Sequence, residues 1–189
     1  MDEAEIISCA DIDEWDRWLT EHGETRSAVW LTIAKKGAGP VKMTAIDAGD
    51  VAICHGWIDG QRRGLDSTHF LQRFSPRRPG SPWSQVNVER VAELEAAGRM
   101  RPGGRAQVAA AQADGRWAAA YERQRTAATP DDLAQALAGH DAARAAFEAL
   151  GRSQQYITFL PLLKAKTPAA RAAALRRAVA ALEAASRAM

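Results

Sequence analysis

Lysine is missing from the middle of this chain. Between Gly60 and Arg105 stand nine arginines, four acids and no lysine, a net +5 in a protein whose formal charge is only +2. The remainder is therefore net acidic, and the central stretch is the place to look for a site. Cysteine is scarce too. Cys9 and Cys54 are too far apart for a CxxC pair and too few for a disulfide framework, which excludes a stapled secreted scaffold. The four histidines, His22, His55, His69 and His140, have no metal-ligand spacing, so no metal is expected. The loop after Lys35 and Lys36, from Gly37 to Pro40, lacks the GxxxxGK[ST] pattern of a phosphate cradle. No Ser-His-Asp signature marks a hydrolase; no catalytic residue is assigned and no cofactor is expected. Long apolar runs are absent, which argues against membrane insertion. Met1-Asp2-Glu3-Ala4-Glu5 has neither the basic nor the apolar part of a signal peptide, so a cytoplasmic location is expected. What is present is ordinary for a globular chain: 189 residues, 47% apolar and 25% charged, enough for one domain, or for one and a compact appendage.

Capping and periodicity divide the chain. Asp11 with Glu14 opens a helix in which Ile12, Trp15, Trp18 and Leu19 follow helical spacing, and Gly23 closes it. Residues 28–35 read as a strand apolar on both faces. Thr44 with Asp47 caps a second helix running to about His55. Residues 57–74 read as antiparallel strands beside 28–35, the second over 68–74. Two turns compete between them, Asp59-Gly60 and Gly64 to Ser67. Pro79 and Pro82 bring extended chain to Ser84, a helix N-cap, with Trp83 and Val88 spaced as a hydrophobic staple. That helix ends at Gly98. Residues 105–114 read as helical, and Trp117 and Tyr121 as an anchoring pair one helical turn apart. After Ala127 to Pro130 come three or four helices, over 131–138, 141–150, 153–164 and 167–187, the last opened by Thr167 and Pro168. The expected fold is α+β: residues 1–126 a small antiparallel sheet covered by helices, residues 127–189 a helical module packed on it.

Two constellations carry chemistry. Arg73, Arg77 and Arg78 with Ser84, Asn87 and Arg90 suit an anion site, because guanidinium forks and a helix N-terminus both favour negative charge. The bland alternative leaves Arg77 and Arg78 as solvated charge and pairs Arg90 with Glu93 or Glu89. Trp57, Asp59 and Gln61, at alternate positions, would share one strand face and offer an aromatic plate with a carboxylate and an amide to a small polar ligand. The alternative buries Trp57 in the core and leaves Asp59 to make a turn. Cys54 and His55 are adjacent on a helix, hence about 100° apart, and do not pair with one another. In the last helix, Leu175, Val179 and Leu182 form a clean stripe, while Arg176, Arg177 and Arg187 scatter around it. That pattern fits packing better than nucleic-acid binding.

With those residues in hand, the chain resembles the bacterial YdeI/OmpD-associated, or bacteriocin-protection, family. The resemblance rests on Cys54-His55-Gly56-Trp57-Ile58-Asp59-Gly60-Gln61, on Leu65 to Arg78, on Trp83-Ser84 with Asn87 and Arg90, and on Phe147 to Leu150 with the arginine-bearing last helix. It covers nearly the whole chain. It implies tolerance of antimicrobial peptides or other envelope stress and brings no catalytic mechanism. The reading is a cytoplasmic, non-catalytic protein that binds a small anionic or aromatic ligand through Trp57, Asp59, Gln61, Arg73, Arg77, Arg78, Trp83, Ser84, Asn87 and Arg90. Two alternatives stand beside it: an enzyme using Asp59, His55 or His69 on an arginine-anchored substrate, and a nucleic-acid-binding protein.

Overall fold

A computed structural model describes residues 4–38 and 41–187. Met1 to Glu3, Gly39 and Pro40 of the expected glycine loop, and Ala188 and Met189 lie outside the described residues. The chain forms two compact units, Met1–Trp83 with Asn87–Ala119, and Ser84–Val86 with Ala120–Met189.

The first unit is α+β. Its strands are β1 (Ile6–Ile7), β2 (Val29–Ala34), β3 (Trp57–Gly64) and β4 (His69–Pro76), ordered β1-β2-β4-β3. The two pairings made by β4 are antiparallel, as expected, but β1 runs parallel to β2, so the sheet is mixed. Two residues carry too little alternation to announce a strand, and β1 escapes sequence reading for that reason. Of the two competing turns, the second closes the hairpin: Asp66 Oδ1 accepts from the N–H groups of Thr68 (2.6 Å) and His69 (2.7 Å). Asp59-Gly60 instead sits where the β3–β4 register shifts. The buried Gln72 fills that bulge, its amide donating to the Gly60 (3.1 Å) and Gln61 (3.3 Å) carbonyls and its Oε1 accepting from Arg62 Nε.

Helices α1 (Ile12–His22) and α2 (Ala45–Cys54) cover one sheet face. Both start at the caps expected. Asp11 accepts from the Glu14 N–H, and Thr44 and Asp47 form a reciprocal capping box. The core joins Trp15 and Leu19 of α1 and Ala48, Val51 and Ala52 of α2 to Val29, Leu31, Ile33, Trp57 and Phe74 of the sheet. Each buried tryptophan of this core finds an acceptor for its ring N–H, as burial demands: Trp15 the Ala48 carbonyl (3.0 Å), Trp57 the Gly23 carbonyl (3.2 Å). Helices α3 (Gln85–Ala96) and α4 (Pro102–Ala113) follow. The helix does not continue to Trp117. The chain turns at Gly115 (φ +80°), and Trp117 packs on Trp83 with ring centroids 5.0 Å apart. Tyr121 pairs with Ser84 instead, so the expected helical Trp117–Tyr121 pair does not form.

The second unit is helical: α5 (Asp131–Ala138), α6 (Asp141–Ala149), α7 (Arg152–Leu163) and α8 (Pro168–Arg187), within a residue or so of expectation. Leu133, Leu137, Phe147, Phe159, Leu162 and Leu182 form its core. Thr167 caps α8, its Oγ1 accepting from the Ala170 N–H (3.1 Å). Arg171, on the stripe side of α8, grips Asp132 through Nε (2.7 Å) and Nη2 (2.9 Å).

Candidate functional site

The ten sequence-predicted ligand residues occupy several different places. Trp57 is core, 1% exposed, with Trp18 edge-on to it at 6.1 Å. Asp59 and Gln61 are exposed on β3. The register shift breaks their alternation, and beyond it Arg62 pairs with Gln72. Arg73, opposite Trp30, lies on the sheet face away from Val29, Leu31 and Ile33. Arg78 is exposed, and Asn87 is half-buried in α3. Ser84 is bridged to Tyr121. Arg77 and Trp83 do come together: the buried guanidinium carbon stands 3.6 Å from the ring centroid, and Nη1 donates to the Pro82 carbonyl at 3.4 Å. The Arg77 N–H donates to the Gly56 carbonyl (2.9 Å). Arg77 thus fixes the loop between β4 and Trp83.

Arg90 departs furthest from expectation. Its fork closes on Asp50 of α2, Nε donating to Oδ1 at 2.6 Å and Nη2 to Oδ2. Glu93 is a looser neighbour at 3.7 Å. Asp50 is 7% exposed. Arg90 therefore ties α3 to α2, and its charge-assisted bonds to Asp50 raise its pKa above the ordinary arginine value.

A different polar cluster forms where α2 ends and α4 begins. The backbones meet with no side chain between them. A Cβ on Gly104 would stand 2.2 Å from the Cys54 carbonyl oxygen, and one on Gly103 2.9 Å from that of His55. Gly56, at φ +80°, turns the chain out of α2 in a conformation that side chains rarely allow. The Arg101 N–H then donates to the Cys54 carbonyl at 3.1 Å. The C-terminus of one helix thus faces the N-terminus of another, so their dipoles attract.

Asp16 of α1 reaches this junction from the side. Its Oδ1 lies 2.8 Å from His55 Nε2, and its Oδ2 accepts from Arg101 Nη2 at 2.5 Å. Burial pushes the Asp16 pKa up, but hydrogen bonds from His55 and Arg101 outweigh it and hold the carboxyl below the usual carboxylate range. Arg101 is raised in return, chiefly by its bond to Asp16.

Two clefts meet at this cluster. The smaller, about 230 Å³, is lined by Asp13 and Asp16 of α1, Cys54, Arg99 and Arg101. The larger, about 490 Å³, is lined by Leu19, Thr20 and Gly23, His55, Arg101 and Pro102. Together they form a trough with α1 as one wall and the segment 98–103 as the other, floored by the end of α2. Arg101 belongs to both clefts; Asp16, which it bonds, lines the smaller, and His55, which holds the other Asp16 oxygen, lines the larger. Cys54 is buried in the floor, and desolvation raises its thiol pKa; it is held as a thiol, which is a poor nucleophile.

Of these residues the sequence reading weighed only Cys54 and His55. Residues 7–107, more than half the chain, match the family described as Domain of unknown function (DUF8412). Residues 126–185 match the family described as Bacteriocin-protection, YdeI or OmpD-Associated. The chain belongs to the first family, and its residues 126–185 are similar to the second. The resemblance read from the sequence is thereby located. The YdeI/OmpD-associated match coincides with α5 to α8, whereas the motifs around Cys54 and Trp83 fall in the domain of unknown function. No curated protein and no solved structure matches the chain. No helix among the described residues is long and apolar enough to cross a membrane.

Proposed function

We propose that the protein is a cytoplasmic, non-catalytic binder of a small anionic ligand, held in the trough between α1 and the segment 98–103. The stress- or toxin-protection role named for the YdeI/OmpD-associated family is its biological setting. The reading rests chiefly on Arg101, which lines both clefts, keeps 52% of its side chain exposed and is engaged, among the described residues, by the Asp16 carboxylate. A guanidinium in that state has donors left to present to a carboxylate or phosphate. The aromatic half of the expected ligand class is set aside, because Trp57 and Trp83 are 1% exposed and offer no open ring face. Binding is preferred over covalent chemistry because the thiol at the trough floor is buried and protonated.

A thermal-shift screen of anionic metabolites tests this. Arg101→Gln removes one charge-assisted contact, worth about 1.5–3 kcal/mol, so affinity should fall roughly tenfold to a hundredfold. Its ion pair is exposed, so the unliganded melting point should move little. Anionic binders whose affinity ignores Arg101→Gln would place the site elsewhere.

One observation favours a second reading. The Asp16–His55 contact of 2.8 Å resembles a carboxylate orienting a general base. With Nε2–H donated to Asp16, the Nδ1 lone pair is left to take a proton. Turnover of any trough ligand that disappears in His55→Ala, with the fold intact, would make the protein an enzyme.

A further inference from the structure

The bond across the trough is unequal at its two ends. Asp16 is anchored: it is 28% exposed and its other oxygen is held by His55, itself 10% exposed. Arg101 is a long side chain, 52% exposed, whose side-chain partner among the described residues is Asp16. Arg101 can swing; Asp16 stays. A bare anion that draws Arg101 away leaves the Asp16 carboxylate facing the smaller cleft, where Asp13 is also in the wall. His55 then stays bonded to it, and Arg99 lines the same cleft. A bare cation that takes Asp16 leaves Arg101 unpaired in the same way.

A ligand bearing both charges on neighbouring atoms avoids either penalty. Its carboxylate takes the Arg101 fork, its ammonium takes Asp16, and every charge in the trough keeps an opposite neighbour. From these two walls we infer that the ligand is a zwitterion of the α-amino acid type, inserted into the Asp16–Arg101 bond with its side chain in the larger cleft. This rests on the anion-binding reading above and narrows it. The larger cleft has room for such a side chain: it is about 490 Å³, and Leu19, Gly23, Pro102 and Gly103 stand in its walls beside Thr20, Glu24 and His55. The ion pair of the empty protein thus mimics the ligand's own two charges.

The experiment is ligand-observed NMR on the full chain with each of the twenty free α-amino acids, followed by calorimetry on those that bind. For each binder, the des-amino acid and the decarboxylated amine are titrated beside it. At least one amino acid is expected to bind, and each truncated analogue to bind about tenfold or more weaker, since each loses one charge-assisted contact. Asp16→Asn should weaken the amino acid and leave the des-amino acid unaffected or better bound, a pattern that simple misfolding would not produce. Circular dichroism of the variant checks its fold. If the des-amino acid binds as tightly as its parent and still depends on Arg101, the zwitterion inference is overturned while the anion-binding reading survives. If no amino acid binds but other anions do so through Arg101, the outcome is the same. If nothing in either panel depends on Arg101, both readings fail.

Discussion

Replacing Arg90 by alanine takes two hydrogen bonds from a carboxylate that is almost out of water. The Asp50 side chain is 11% exposed and that of Arg90 30%. Removing one partner of a buried pair typically costs about 3–5 kcal/mol, because the other charge stays behind without compensation. Partial exposure of Arg90 lets water reach the vacated side, so the low end, about 3 kcal/mol, applies here. For a chain of this size each kcal/mol moves the melting point by roughly 2–4 °C, so Arg90→Ala should melt about 6–12 °C below the parent. Arg90→Lys keeps a charge but loses the planar fork and should fall between the two. The double replacement Arg90→Met with Asp50→Leu should recover most of the loss, since neither charge is then stranded. Thermal melts followed by circular dichroism, with urea titration for the free energies, measure all three. A shift under about 2 °C for Arg90→Ala, together with weakened anion binding, would refute this account and return Arg90 to a ligand site.

Two further outcomes follow from the α2–α4 junction and the cluster beside it. Gly104→Ala places a methyl group 2.2 Å from the Cys54 carbonyl oxygen and 2.8 Å from that of Ile53. Backbone cannot step aside as a side chain would, so a loss of at least about 1–3 kcal/mol is expected in urea titration, with weaker binding by Arg101 as its helix start is displaced; a variant as stable as the parent would contradict the close approach. Asp16, whose pKa in the folded chain lies below its unfolded value, adds stability above the ordinary carboxylate range near pH 4 and loses it as pH falls through the depressed value. Asp16→Asn should therefore show a flatter acid limb than the parent in melts between about pH 5 and pH 2, and identical limbs would count against the His55 and Arg101 bonds.

What could be read from the sequence was local. The caps at Asp11, Thr44 and Thr167 hold as written because the residues that make them are three apart. The helices of the second unit follow from stripes such as Leu175, Val179 and Leu182, whose period survives any packing partner. Proximity in sequence groups Arg73, Arg77, Arg78 and Arg90, but the partners of such residues can lie far along the chain. Arg90 finds Asp50 forty residues earlier, and Asp16 finds His55 thirty-nine and Arg101 eighty-five residues later. Nothing in the neighbourhood of Asp16 distinguishes it from the other acids of α1. One signal was present: Gly103-Gly104 within a helical stretch marks a close backbone approach, and the approach is where the cluster assembles. The shared face of Asp59 and Gln61 is lost for a different reason. A single extra residue in β3 reverses the alternation on which it depended.

The alanine content of α8 has a kinetic consequence. Ten of its twenty residues are alanine, the residue with the highest intrinsic helix propensity. A segment of that length and composition samples helix transiently before any tertiary contact forms, in a fraction of a microsecond. The second unit needs only neighbouring helices to dock on it. The first unit waits on β2 meeting β4, with Val29 opposite Phe74, a closure across forty-five positions whose entropy must be lost before the ladder returns any of it. Refolding from denaturant should therefore be biphasic, with α8 and its partners settled while the sheet is still searching. During that interval the unpaired strands are the part of the chain exposed to aggregation.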